Sequence, residues 1–246
     1  MNKNKTVIIS GASGGIGRSM VVLFAINRYN VILNYNRSLE KAQLLYRKLK
    51  SKGLSIELFQ ADVSKRVQVD AMVDYCINQF GKIDILINNS GVSQQKIFTD
   101  ISEDEWDYMI NVNLKGVFNC TQSVLKHMIR EKSGKIINIS SIWGMVGASC
   151  EVHYSSAKAG VIGFTKALSK ELGPSNIQVN CIAPGIIETD MLSSFSLEEL
   201  KQLKDETPLI RLGKPKDIAR CALFLASKNA DFFTGQILSP NGGFVI

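Results

Sequence analysis

Three side chains in the middle of the chain have the types and spacing of a proton-transfer site. Within the stretch SIWGMVGASCEVHYSSAK, Ser141 is followed by Tyr154 and then, four positions on, by Lys158. On a helix, Tyr154 and Lys158 stand one turn apart and share a face. Ser141 closes the apolar run KIINI at 135–139, which reads as a buried strand ending in a loop. A phenol beside an ammonium, with a hydroxyl brought in from a strand end, can move a proton to or from a ligand oxygen. Bringing a tyrosine from its ordinary pKa to neutral pH takes roughly 4 kcal/mol, and a neighbouring cation favours the phenolate. Lys158 is therefore expected to lower the pKa of Tyr154. By itself the pair also fits the solvated face of an amphipathic helix, so its surroundings decide.

The elements that must position these residues alternate along the whole chain. Apolar runs at 6–10, 30–35, 55–61, 83–88, 135–140, 177–183 and 236–239 read as strands. Helical stretches lie near 15–28, 39–51, 65–80, 103–130, 152–173 and 215–227. Near-continuous Val/Ile/Leu strands separated by helices predict an α/β, doubly wound Rossmann fold: a single parallel seven-stranded sheet with helices on both faces. Ser102-x-x-Glu105 and Ser196-x-x-Glu199 are capping boxes that open helices. Nothing resembling a linker or repeat interrupts the pattern, so residues 1–246 are expected to form one domain.

Composition narrows the class. Hydrophobic residues make up 45% and charged residues 21% of the chain, as in a globular protein outside the membrane. No apolar run reaches membrane-spanning length, and the first residues carry no secretory signal pattern. The five cysteines are scattered and include no C-x-x-C, which fits reduced thiols in the cytoplasm and neither a disulfide frame nor a zinc site. His153 has only His127 for company, so no metal is expected. The net charge of +7 reflects solvated basic helix faces, or attraction to an acidic partner or phosphorylated ligand. Nothing interleaves aromatics with a basic groove, so no nucleic-acid partner is expected.

The first strand runs into Ser10-Gly-Ala-Ser-Gly-Gly-Ile-Gly17, a glycine turn before a helix. Such a turn lets backbone N–H groups and the helix N-terminus receive a pyrophosphate. The second strand ends in Asn34-Tyr-Asn-Arg-Ser38 with no carboxylate before Glu40. An acid there would hold the 2′-hydroxyl of NAD, whereas Arg37 can pair with the 2′-phosphate of NADP(H), the cofactor expected here. Asp62-Val63 follows the third strand, where an acceptor could meet the adenine amino group. Asn88 to Gly91 follow the fourth. Asp or Asn at these positions could equally cap a helix.

Taken in order, these motifs resemble the short-chain dehydrogenase/reductase family over essentially the whole chain. The resemblance rests on Gly11, Gly15 and Gly17; on Asn88-Asn89-Ser90-Gly91; on Asn113; on Ser141, Tyr154 and Lys158; and on Pro184-Gly185 with Thr189. Ser90 departs from the usual alanine, and Gly14 stands where many NADP-using members have a cation. The resemblance implies that Tyr154 donates a proton to a carbonyl oxygen while Ser141 holds that oxygen. Lys158 would reach the nicotinamide ribose, and Asn113 would hold a water behind the lysine. Pro184, Gly185, Ile187 and Thr189 would cradle the nicotinamide amide and phosphates. Ser13, Ile16, Ser38, Val63, Asn89 and Gly91 would complete the cofactor site. It also implies a homotetramer with the 103–130 and 152–173 helices at one interface.

Two branches of the family compete for the substrate. IDILINNSG, EDEWDYMINVNLKGVFNC and TGQILSPNGG are similar to the bacterial 3-oxoacyl-[acyl-carrier-protein] reductases, which implies a carrier-bound ketone and docking of acyl carrier protein. Lys132 matches a docking position of that branch, whereas Ser175 stands where an arginine is expected. SSIWG and GASCEV resemble a sister branch that reduces 5-aminopentanone groups on elongation factor P. For such a cationic substrate Glu151 could pair with the amine and Trp143 offer a cation–π wall. Glu151 could instead cap the helix that carries Tyr154. His153 is expected to face the substrate rim or a partner subunit. Residues 190–210, including Met191, are expected to form a lid.

Overall fold

Strands that are apolar on both sides must be covered on both sides. In β1 (Thr6–Ile9) Val7 and Ile9 point to one face and Ile8 to the other, all fully buried. The computed structural model describes residues 4–192 and 195–246. After β1 come α1 (Gly15–Ile26), β2 (Asn30–Tyr35), α2 (Leu39–Lys50), β3 (Ile56–Gln60), α3 (Arg66–Phe80) and β4 (Ile85–Asn88). The second half holds α4 (Glu103–Ile110), α5 (Gly116–Glu131), β5 (Gly134–Ile139), α6 (Trp143–Val146), α7 (Val152–Leu172) and β6 (Ile177–Ile182). It ends with α8 (Leu197–Asp205), α9 (Pro215–Ala226) and β7 (Ile237–Leu238). Among the described residues the strands form one parallel sheet in the order β3-β2-β1-β4-β5-β6-β7.

One core layer joins Val7 and Ile9 to Phe24 of α1, Leu45 of α2 and Ile218 of α9. The other joins Ile8 to Met72 of α3, Val124 of α5 and Leu172 of α7. Burial of each large side chain contributes roughly 1.5–3 kcal/mol. The strand order reverses between β1 and β4, opening a crevice at the carboxyl ends of the strands where ligands bind in such sheets. Both expected capping boxes are present, at Ser102 and Ser196.

The helix expected over 103–130 is interrupted. Asn111–Lys115 forms a π turn between α4 and α5. The Asn113 side chain explains it: its Nδ2 donates to the carbonyl of Met109 at 3.0 Å, the acceptor that an α-helix would give to the Asn113 backbone. The last strand is also shorter than expected, because the Gln236 N–H donates to the Asn180 side chain.

Candidate active site

Tyr154 and Lys158 lie on the first turns of α7, which crosses the end of β5. Lys158 is buried and its Nζ donates to the carbonyl of Ile139, the last residue of β5, at 3.0 Å. Ser140 donates from its hydroxyl to the carbonyl of Lys158 at 2.8 Å, tying strand end to helix. A Cβ on Gly144 would lie 2.7 Å from the Lys158 carbonyl carbon, so α6 packs here only with glycine. Ser141, directly after this tie, is buried and accepts from the Trp143 N–H at 3.2 Å. The Lys158 Nζ stands 5.7 Å from the centre of the Tyr154 ring.

Asn113 reaches the same place from the π turn. It is fully buried, accepts from the Val92 N–H at 3.2 Å and donates to the Val92 carbonyl at 3.0 Å. A Cβ on Gly91 would meet the Asn113 Oδ1 at 2.8 Å and the Lys158 Nζ at 3.4 Å, so these two groups face each other across a glycine. The structure thus brings Asn113, Ser141, Tyr154 and Lys158 together from three different elements.

The electrostatics correct the expectation that Lys158 lowers the phenol. Burial pushes Tyr154 up to about 12, against the Ser141 hydroxyl that favours phenolate; the charge of Glu151 adds to the rise. Burial lowers Lys158 to about 8. Removal from water is the largest cause for both and moves each group toward its neutral form, and neither shift has the other residue among its causes. A phenol at about 12 holds its proton at neutral pH and can donate it.

The glycine turn lies across the crevice. Gly11 and Gly15 have φ of +60° and +50°, which a side chain would strain. A Cβ on Gly17 would lie 2.4 Å from the Gly11 carbonyl, so the turn closes only with glycine. Asn89 spends its Nδ2 on the carbonyls of Ser10 and Gly11, both at 3.0 Å, so its side chain braces the turn. Sequence reasoning missed two further braces. The Ser10 hydroxyl accepts from the N–H groups of Asn89 and Ser90, and Asn34 accepts from the Gly11 N–H. Only a polar residue at a strand end signalled either.

With no side-chain cap on α1, the N–H groups from Ser13 through Ile16 and Gly17 are placed to receive a pyrophosphate. Thr189 closes the opposite wall, its Cγ2 3.2 Å from where a Gly15 Cβ would be. Pro184 accepts from the Ile142 N–H. A Cβ on Gly185 would meet the Cα of Asn241 at 2.7 Å. Ile187 buries its side chain in the core and pairs its backbone with Gly213, leaving only main chain toward the cleft.

Arg37 and Ser38 are exposed after β2, and the Arg37 guanidinium lies 5.9 Å from the Tyr108 ring centre. Asp62 uses Oδ1 to accept from the N–H and hydroxyl of Ser64, as an Asx turn, which leaves Oδ2 for a ligand. Val63 packs under Gly116 and accepts from Asn119. The turn, the Arg37 cation and the 184–189 wall fit a dinucleotide.

The substrate side is built from α6 and the start of α7. Trp143 is half-buried with its ring 5.9 Å from that of Phe244 in an edge-to-face contact. Glu151 stands at the N-cap of α7 but makes no capping hydrogen bond with its side chain. Burial raises its pKa, and Gln95 Nε2 donates to its Oε1 at 3.5 Å. His153 does not face a rim: it is fully buried against Gln94. The Met191 side chain lies outside the described residues.

This fold and cleft are those of a nicotinamide-dependent oxidoreductase. The family model for short chain dehydrogenase matches residues 5–200, and the chain belongs to that family. It is 43% identical over 243 residues to a 3-oxoacyl-[acyl-carrier-protein] reductase of Staphylococcus aureus, covering 99% of each chain. Identity to the protein of that name from Chlamydia trachomatis is also 43%, over 98% of this chain and 97% of the relative. An uncharacterized oxidoreductase of Bacillus subtilis is 42% identical, over 98% and 99%. No helix among the described residues is long and apolar enough to cross a membrane.

Proposed function

We propose that this chain is an NADPH-dependent 3-oxoacyl-[acyl-carrier-protein] reductase, converting the ketone of a carrier-bound thioester to a secondary alcohol. When bound, the reduced nicotinamide supplies the hydride. Tyr154 donates its phenolic proton to the carbonyl oxygen, and Ser141 donates a hydrogen bond to that oxygen as negative charge develops. Lys158 orients the nicotinamide ribose, and Asn113 supports the lysine from across Gly91. Arg37 pairs with the 2′-phosphate. The observation that carries the reading is the buried Lys158 one turn along α7 from the half-buried Tyr154, beside Ser141 at the carboxyl end of β5. Consumption of NADPH on acetoacetyl-CoA or acetoacetyl-carrier protein tests it. Tyr154→Phe should lower kcat by about 10²–10⁴-fold and leave NADPH affinity within about twofold. Full activity in that variant would overturn the assignment.

One observation favours a second substrate. Glu151 is partly buried, free of capping duty and close enough to act on the Tyr154 phenol. A carboxylate there suits an amine-bearing ketone such as the 5-aminopentanone group on elongation factor P, and does nothing for an uncharged acyl chain. Glu151→Gln should raise KM for an aminoketone roughly tenfold and leave acetoacetyl-CoA unaffected. No turnover of any acetoacetyl thioester by the native protein would reverse the order of the two readings. Lys132 lies beside the turn containing Ser175, joined through Asn176 to the Lys132 carbonyl, and contributes one cation to a docking face for an acidic protein. We further propose that the chain works as a single domain, in the cytoplasm and as a homotetramer.

A further inference from the structure

His153 adjoins Tyr154 yet plays no part in the chemistry above. Its ring is fully buried, on the flank of α7 turned away from the Tyr154–Lys158 face. Nε2 lies 3.2 Å from the Gln94 Oε1. The orientation of that amide is set from its other end, because Gln94 Nε2 donates to the Glu105 carboxylate at 2.9 Å. Gln94 therefore presents its oxygen to the imidazole, and His153 must donate from Nε2–H with Nδ1 bare. Nδ1 has no partner among the described residues, so an added proton there would sit buried and unpaired.

Glu105 is itself anchored. It accepts from Lys96 Nζ at 2.8 and 2.7 Å and from the Ser102 N–H at 2.9 Å, where it completes the capping box of α4. The backbone N–H of Lys96 donates to the Cys150 carbonyl at 2.7 Å, one residue before Glu151. The loop after β4 is thus held at Val92 by Asn113, at Gln94 by His153 and Glu105, and at Lys96 by Glu105 and Cys150. Gln95, between the last two anchors, reaches Glu151.

We infer that His153 is a positioning residue: its Nε2–H, through Gln94 and Glu105, locks the 92–96 loop against the first turn of α7, so that Gln95 and Glu151 form one fixed substrate wall beside Tyr154. The catalytic half of this inference rests on the reductase reading; the loop-locking half stands without it. The test compares the native chain with His153→Leu, which keeps the bulk but no donor, and His153→Gln, whose amide nitrogen can occupy the place of Nε2. Hydrogen–deuterium exchange of the 92–98 segment should rise about tenfold or more in the leucine variant and return toward native in the glutamine variant. With an aminoketone substrate, KM should rise about tenfold in His153→Leu while kcat and NADPH affinity move less than about threefold, with rescue by His153→Gln.

Native exchange in the leucine variant would overturn the inference. So would a leucine variant whose kcat and NADPH affinity fall as KM rises, which marks general disruption, or a glutamine variant that restores neither loop nor KM. If the native chain reduces no ketone, the reductase reading fails, and loop exchange alone still decides whether His153 locks the wall.

Discussion

Burial lowers the Lys158 ammonium from 10.5 to about 8, so between those values the unfolded chain binds more protons than the folded one. Stability must then rise with pH across that window: the cost of burying Lys158 is full below about pH 8 and gone above 10.5. Lys158→Met keeps the stem and removes the charge. It is expected to abolish turnover while raising unfolding stability at pH 7 by roughly 1–3 kcal/mol, a gain that shrinks as pH climbs toward 10.5. Urea denaturation at pH 7 and pH 9.5 checks both the size and the slope. Tyr154 acts in the opposite sense above pH 10, because its folded pKa is raised to about 12, and it is common to both proteins. An equal gain at the two pH values would place its cause in packing and not in charge.

At the scale of elements, the turn before α9 carries strain. Ile210 has a φ of 51°, left-handed for a β-branched residue, and its N–H closes onto the Thr207 carbonyl at 2.7 Å. That conformation costs an L-residue about 1–2 kcal/mol, and the side chain is exposed, so little packing offsets it. Ile210→Gly is expected to raise stability by about 1 kcal/mol and Tm by about 2–4 °C in a thermal melt, with kcat unchanged. An unchanged or lower Tm would show that the exposed Ile210 makes a contact worth more than the strain. The π turn between α4 and α5 is a different kind of departure. It follows from a single side chain taking a backbone acceptor, and it turns Asn113 inward, where the carbonyl of Val92 and the far side of Gly91 meet it.

At the scale of the whole molecule, the parallel sheet places the ends of β1, β2, β4, β5 and β6 along one edge, so that Arg37 and the glycine turn share a cleft with Thr189. Cofactor choice belongs to this scale because it depends on which cation the sheet delivers to the ribose end. Gly14 supplies no cation to that end, and a Cβ there would have open space around it. Arg37→Ala should therefore raise the Kd for NADPH about tenfold to hundredfold and leave that for NADH within about threefold. Fluorescence titration with both nucleotides measures it, and a parallel loss for NADH would remove Arg37 from the 2′-phosphate site.

Sequence by itself determined the alternation of strands and helices, the parallel sheet, both capping boxes, and a serine, tyrosine and lysine in register. Those features are local: periodicity, cap residues and spacing act within a few turns of chain. Tertiary structure decided the rest. Asp62 spends an oxygen on Ser64, Asn89 braces the glycine turn, and Ile187 turns its side chain into the core. Whether a polar group faces a ligand or a neighbour depends on partners far away in the chain. It also decided that burial dominates the titration of both Tyr154 and Lys158, since spacing along a helix says how close two groups stand and nothing about how much water remains around them.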